Sequence, residues 1–310
     1  MTDNISTLNP DPQNLEVCEP RAHRTLWGDA WIRLRRNRLA VAGAVIILIF
    51  ALAAIFAPLI TKYSFAQQSL GEILQRPNAK HWLGTDGLGR DEFARLLYGA
   101  RTSLAVGLFT QFIVVLIGLP IGAFAGSIGG RVDNLLMRFV DVMYAFPDIL
   151  LIILLSQVMR GTSFADFGGG IFVIFLAIGL VSWVGIARLV RGQILSLKQR
   201  DFITAARAMG GKRNYITLRH LLPNSLGPII VSITFNVPRA IFAEAALSYI
   251  GIGIKPPNPS WGAMIQDGYS VLFAAPYLVV VPAVAIAILM LAFTFLGDGL
   301  RDALDPRLRR

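Results

Sequence analysis

Residues 102–130 and 268–297 contain no Asp, Glu, Lys or Arg. A helix crosses the hydrocarbon of a bilayer in roughly 20 residues, so either run is long enough to span. Neither alternates as a lipid-facing strand does, nor carries the 3.6-residue stripe of a half-buried helix. Inside a bilayer the backbone must satisfy its own hydrogen bonds, which leaves helices or closed barrels. Runs of this length select helices. The rest of the chain agrees: 55% of its 310 residues are hydrophobic and only 15% are charged, less than a soluble domain carries. The expected fold class is an all-α polytopic membrane protein.

Apolar runs place six transmembrane helices at about 39–60, 103–126, 142–159, 170–190, 226–250 and 277–298. The third is interrupted by Asp141, Pro147 and Asp148. Its clean run, 149–159, is too short to cross alone. It is either a helix whose first turns lie in the interface or face other helices, or a re-entrant segment. The first reading is favoured because an even number of spans keeps both termini on one side. Lys and Arg then divide twenty to eight between the two sides, with Arg239 inside a span. The richer side is expected to be cytoplasmic, with both termini and the long loop before the fifth span. This also accounts for the net charge of +10 without nucleic acid, since no basic–aromatic interleaving of an RNA-binding kind is present.

Residues 1–38 form a polar cytoplasmic tail. Within it TLWGDAWIRLRRNR (25–38) reads as an amphipathic helix on the inner membrane face, with Trp27 and Trp31 in the interface and the arginines near lipid phosphates. Residues 39–102 hold the first transmembrane helix, read as an uncleaved signal anchor, and an extracytoplasmic loop. Residues 103–310 form a five-helix core that includes the loop 198–224. The single cysteine, Cys18, permits no internal disulfide, and His23, His81 and His220 are far apart in sequence. No metal site is expected.

The loop 198–224 is helix-prone through SLKQRDFITAARAMG, breaks at Gly210-Gly211, restarts, and reaches Leu222-Pro223 at the next span. Gly210 suits a left-handed helix end and Pro223 a helix start. A short cytoplasmic helix, a sharp turn and a second helix are expected. The small Ala205, Ala206 and Ala208 permit close approach by a soluble partner; the plainer reading is an ordinary structured loop.

Ala205-Ala206, Gly210 and His220-Leu221-Leu222-Pro223 at this spacing resemble the EAA loop of ABC-importer permease subunits. Thr204 stands where that family has Glu, and His220 where Ile is common. HWLGTDGLGRDEFARLLYGARTSL (81–104), GGRVDNLLMRFVDVMYAFPDILL (129–151), EAALSYIGIGIKPPNPSWGAMI (244–265) and FLGDGLRDALDP (295–306) resemble the C-type permease of dipeptide and oligopeptide transporters, a group that includes nickel and glutathione importers. The resemblance covers nearly everything after residue 30. It implies the ABC-importer permease fold. It implies that Thr204, Ala205, Ala206, Arg207, Ala208, Met209, Gly210, Leu222 and Pro223 couple the chain to an ATPase. It implies a second homologous permease, two ABC ATPase subunits and an extracytoplasmic substrate-binding protein, in a bacterial or archaeal cytoplasmic membrane. The chain itself lacks a phosphate-binding loop: Gly211-Lys212 is followed by Arg213, and Ala206 stands where a glycine is required. No cofactor is expected on this chain; ATP and magnesium belong to the partner ATPases, and the chain is not an enzyme.

Four further groups stand out. Gly118, Gly122 and Gly126, continued by Gly130, fall on one helix face that permits close packing, either against the second permease or against this chain's own helices. Arg239 and Glu244 are ionisable groups inside the fifth span, candidates for the translocation path or for mutual pairing. Arg138 and Asp141 are spaced to pair on one helix. In KPPNPSWG (255–262) the prolines stiffen an outer loop, Trp261 is a candidate interfacial anchor, and Pro256, Pro257 and Trp261 are candidate contacts for the binding protein. The expected function is a pore-forming half of an ATP-driven peptide importer, with a nickel or glutathione importer as the alternative. A secondary transporter is a distant alternative, since no internal repeat or convincing ion-coupling site is seen. A membrane-embedded enzyme lacks a catalytic constellation.

Overall fold

The computed structural model describes residues 26–162 and 170–305. Its helices are α1 (Leu26–Arg36), α2 (Arg38–Ile55), α3 (Ala57–Ile60), α4 (Glu92–Ile128), α5 (Gly130–Ala145), α6 (Asp148–Arg160), α7 (Ile171–Leu197), α8 (Asp201–Ala208), α9 (Arg213–Ile216), α10 (Leu222–Tyr249), α11 (Trp261–Tyr269) and α12 (Tyr277–Leu304). Among the described residues, five continuous helices are long and apolar enough to cross a membrane, and six if the α5–α6 pair counts as one span.

That pair is bent by 90°. Phe146 is extended, and Pro147 caps α6, with no helical hydrogen bond carried across the break. At 13 residues α6 is roughly 20 Å long, less than the hydrocarbon thickness. The third apolar segment is thus two helices at a sharp bend, the geometry of a broken span or of a re-entrant loop, and its first arm, α5, packs against α4 and α7.

Charge-free runs understate the helices. α4 begins at Glu92, where Asp91 caps it by accepting from the Ala94 amide at 2.8 Å. It carries Arg95 and Arg101 well before residue 103. α7 runs through Arg188 and Arg191 to Leu197. Charged residues end the apolar run, but the backbone ladder continues into the polar layer. The expected helix in residues 25–38 is α1, which stops at Asn37; the Asn37 carboxamide accepts from the Leu39 and Ala40 amides and starts α2. Trp31 is exposed, with Arg35 4.6 Å above its ring. The Trp27 side chain, Cys18, His23 and the terminal arginines lie outside the described residues.

α4 and α7 make the most extensive helix pair. Ile174, Ile178, Ile186 and Ile194 of α7 are fully buried. At one end of the bundle Ile194 joins Ile203, Ile216, Leu221 and Ile229. Toward the other end Leu104, Ile241, Leu289 and Phe293 gather around Trp261 and Met264. α8 therefore sits at one end of α4, and α11 near the other.

Candidate functional site

α8 is held by alternate sides of its own amphipathic sequence. Ile203 and Ala206 are buried in the core formed with Ile194 and Ile216. Phe202, Ala205 and Met209, spaced i, i+3 and i+7, face outward with Thr204, Arg207 and Ala208. Ala206 is thus withdrawn from the docking face that the sequence assigned it to. The helix ends in a Schellman turn. Gly210 has φ +81°, its amide donates to the Arg207 carbonyl at 2.9 Å, and the Gly211 amide donates to the Ala206 carbonyl at 3.0 Å. A Cβ on Gly211 would meet the Ala206 carbonyl at 2.7 Å, so both glycines are needed for this turn. α9 then passes through a π-helical turn, Thr217–Leu221, into α10, where Pro223 occupies the first turn and is exposed while Leu222 is half-buried.

Polar contacts tie this loop to the bundle. The Lys198 ammonium donates to the Gly126 and Ser127 carbonyls, each at 3.0 Å, at the end of α4. Desolvation, reinforced by the nearby Arg207 and Arg213 charges, pushes the Lys198 pKa below its usual 10.5. Arg191 forks onto Asp133 at 2.5 and 2.7 Å, and Arg188 reaches Asp141 at 2.7 Å. Both pairs join α7 to α5. The expected Arg138–Asp141 pair is replaced by this inter-helix contact: a partner on the facing helix competes better than the i,i+3 neighbour.

Gly118, Gly122 and Gly126 are covered by the chain itself. A Cβ on Gly118 would lie 2.7 Å from the Trp183 carbonyl, and one on Gly126 would lie 2.9 Å from the Ile194 Cβ. One on Gly122 would strike the Ala187 carbonyl. The glycine face is the α4–α7 seam, so of the two alternatives it is this chain's own helix that covers it, not a second permease. Gly130 meets nothing within 4 Å.

Arg239 and Glu244 do not form a pair. Arg239 is exposed, whereas Glu244 is fully buried. Glu244 accepts from Ser248 at 2.7 Å and from Ser103 at 3.2 Å, while Ser260 donates to the Ser248 hydroxyl at 3.3 Å. This carboxyl joins α4, α10 and the start of α11 and has no open face toward a path. Trp261 is likewise corrected. It is fully buried, donates from Nε1 to the Leu96 carbonyl at 3.0 Å and meets Phe50 edge-on at 5.5 Å. Its indole finds a protein partner, so it is neither an interfacial anchor nor a surface for another protein. Pro256 and Pro257 remain exposed.

The charges of residues 81–95 have no role legible in their spacing, yet among the described residues the ion pairs are densest there. His81 Nδ1 lies 2.7 Å from Asp91. Buried Asp86 accepts from Arg90 Nε at 2.6 Å and also from Arg95. Both arginines reach the same oxygen of Asp267 on α11, each at 2.8 Å. Arg160, at the end of α6, donates to the Ile252 and Gly253 carbonyls. The density of charge in RDEFAR (90–95) was the visible signal, but Asp267 lies too far along the chain for spacing to reveal it. Among the described residues no group of three His, Cys, Asp or Glu is placed to hold a metal.

Residues 118–310 match the family of binding-protein-dependent transport system inner membrane components. Residues 25–77 match the N-terminal transmembrane domain of oligopeptide transport permease C. The chain is 42% identical to the oligopeptide transport system permease protein OppC of Bacillus subtilis, over 92% of this chain and 91% of that one. It is 45% identical to the dipeptide transport system permease protein DppC of the same organism, over 91% and 86% respectively. It is 39% identical to the glutathione transport system permease protein GsiD of Pectobacterium atrosepticum, over 95% and 96%. Among solved structures, inward-facing MetNI methionine ABC transporter is similar in fold, with a TM-score of 0.54 at 23% identity, over 68% of this chain and 96% of that one.

Proposed function

The chain belongs to the binding-protein-dependent transport system inner membrane component family, and from that premise we propose that it is one of two permease subunits of an ATP-driven peptide importer. A second, homologous permease completes the pathway, and two ABC ATPases supply the energy using ATP and magnesium. An extracytoplasmic binding protein delivers the substrate. The relatives named for oligopeptides, dipeptides and glutathione share one substrate chemistry, since glutathione is itself a tripeptide. That favours peptides here.

The observation that carries the coupling role is the two-sidedness of α8. Ile203 and Ala206 fix it to the bundle, while Phe202, Ala205 and Met209 are left outward. A helix rigidly joined to the spans, with an apolar stripe among the polar residues of its free face, is suited to sit in a groove of another subunit. Closure of the ATPases on ATP moves α8, and Lys198, Arg191 and Ile203 pass that movement to α4, α5 and α7. The ATPases shift the equilibrium between inward- and outward-open forms only by binding one form more tightly. Both termini and α8 are cytoplasmic in this reading, as the basic excess requires. α1 lies against the inner leaflet.

The test is purification of the tagged chain in mild detergent from its own membrane, followed by peptide uptake into proteoliposomes. The expected result is co-purification of a second permease and two P-loop ATPases, with uptake that needs ATP and a binding protein. Recovery of the chain alone, transporting without ATP, would replace this reading with a secondary transporter.

A further inference from the structure

A cavity of about 200 Å³ opens at the end of α4 opposite α8. It lies between the start of α4, the end of α6, the loop after α10, and α11. Arg90, Arg95, Arg160 and Lys255 line it, and Asp267 is the one carboxylate among its lining residues. Such a cationic wall is suited to an anion.

The geometry is more specific than the charge. Asp86, buried behind the wall, takes Arg90 Nε at 2.6 Å and a donor of Arg95. Both guanidiniums are thereby fixed, with side chains only 7% and 3% exposed. Each still presents an Nη2 to a single point, occupied by Asp267 Oδ2 at 2.8 Å from both. Arg95 Nε is buried without a partner. The Asp267 side chain is 42% exposed, so a half-solvated carboxylate rests on a rigid two-arginine fork. Planar guanidiniums converging on one oxygen are a carboxylate receptor. Here the receptor holds an internal carboxylate that sits next to an open cavity.

We propose that this cavity is a carboxylate-binding site at the outer end of the permease, and that its ligand is the C-terminal carboxylate of a peptide, exchanging with Asp267 on the Arg90–Arg95 fork. The assignment of a peptide rests on the function proposed above. The cavity admits the end of a chain, not a folded partner. Every linear peptide carries that carboxylate whatever its side chains, so such a site does not narrow the range of sequences accepted. Lys255 at the exposed rim adds attraction. Arg160, fixed on the Ile252 and Gly253 carbonyls, adds a further positive charge to the wall.

The experiment uses the whole permease–ATPase complex in lipid nanodiscs without the binding protein, whose own preference would otherwise mask the site. Binding of alanyl-alanine, its C-terminal amide and sodium acetate is measured by saturation-transfer NMR. The dipeptide is expected to bind roughly fivefold or more tightly than its amide. Lys255→Gln is expected to weaken it roughly threefold. Asp267→Asn is expected to tighten it, because the competing carboxylate is gone. A purely structural ion pair gives no such gain, and the melting temperature of each variant reports folding separately. Equal binding of acid and amide, or an Asp267→Asn variant that keeps its fold and binds no more tightly, overturns the site. Acetate binding as tightly as the dipeptide overturns the peptide assignment. Peptide uptake without acid–amide discrimination sinks this inference and leaves the proposed function standing. The expected binding pattern in a complex that imports no peptide sinks the proposed function and the peptide assignment with it, and leaves a carboxylate site.

Discussion

The Lys198 ammonium lies 3.0 Å from the Gly126 carbonyl oxygen and 3.0 Å from that of Ser127, so the first residue after α7 caps the end of α4. Carbonyls at a helix C-terminus lack partners within the helix, and a cation there also meets the negative end of the dipole. Lys198→Met is expected to cost on the order of 1–2 kcal/mol of stability. It should lower peptide uptake per ATP hydrolysed, because α8 then moves with less hold on α4. Lys198→Arg should restore part of both. Thermal unfolding and the ratio of uptake to hydrolysis check the two effects; unchanged coupling in Lys198→Met would remove Lys198 from the relay.

On the free face of α8, Phe202→Glu and Met209→Glu put charge where an apolar contact is proposed and leave the buried Ile203 and Ala206 untouched. The ATPases should be lost on purification while the melting temperature stays within about 2 °C of the parent. Ile203→Asp buries an unpaired charge instead, and the chain itself should fail to fold. Retention of the ATPases by both surface variants would contradict the docking role.

The long spans were legible because lipid removes the need for charge over some twenty residues, and nothing else writes such runs. The turn at Gly210 was legible because a left-handed residue after AARAM has a local cause. What faced what was not. A period of four announces the Gly118–Gly122–Gly126 face, but a packed α7 and a packed partner demand the same small residues. Trp261 follows a proline-rich stretch that looks like surface, and only the fold carries its indole to Leu96. The Arg90–Asp267 contact joins residues far apart in sequence, so no spacing rule reaches it. The break at Pro147 was signalled, but not its 90° angle, nor the ties of α5 to Arg188 and Arg191, which lie far along the chain.

For the α4–α7 seam, Gly122→Val forces side-chain atoms against the Ala187 carbonyl and the Val190 side chain. Overpacking of this kind costs about 1–3 kcal/mol or more. The loss should appear in the isolated chain, before any partner is added. Gly185→Ala, where the added methyl meets nothing within 4 Å, should be neutral or slightly stabilising. Equal melting temperatures for parent and Gly122→Val, with loss only of a second permease, would return the glycines to an inter-subunit seam.

The Glu72–Lys80 pair on the outer loop gives a pH dependence of definite sign. The hydrogen bond from Lys80 holds the Glu72 pKa below 4.5, and the same bond raises Lys80 above 10.5. The contribution of Glu72 is present above about pH 4.5 and is lost as pH falls through its lowered value. That of Lys80 is present below about pH 10.5 and is lost as pH rises through its raised one. Lys80 is exposed and Glu72 partly so, and solvent screening keeps the effect small. Glu72→Gln should shallow the acid limb of the melting-temperature profile and leave neutral pH little changed; an unaltered acid limb would show that the pair contributes nothing there.

Trp261 offers the sharpest separation between a core role and a surface role. Its ring fills the space between α4, α2 and the start of α11, with Phe50 edge-on and Leu96 accepting from the indole. Trp261→Phe keeps most of the volume but removes the donor, and should cost about 1–2 kcal/mol. Trp261→Ala opens a cavity and should cost about 3–5 kcal/mol. Because Trp261 leads α11, loosening it also frees Asp267 from the Arg90–Arg95 fork. Both variants should therefore expose residues 261–269 to amide exchange in the isolated complex, with no binding protein present. Unchanged exchange and stability, with a defect seen only when the binding protein delivers substrate, would restore Trp261 as a surface for that partner.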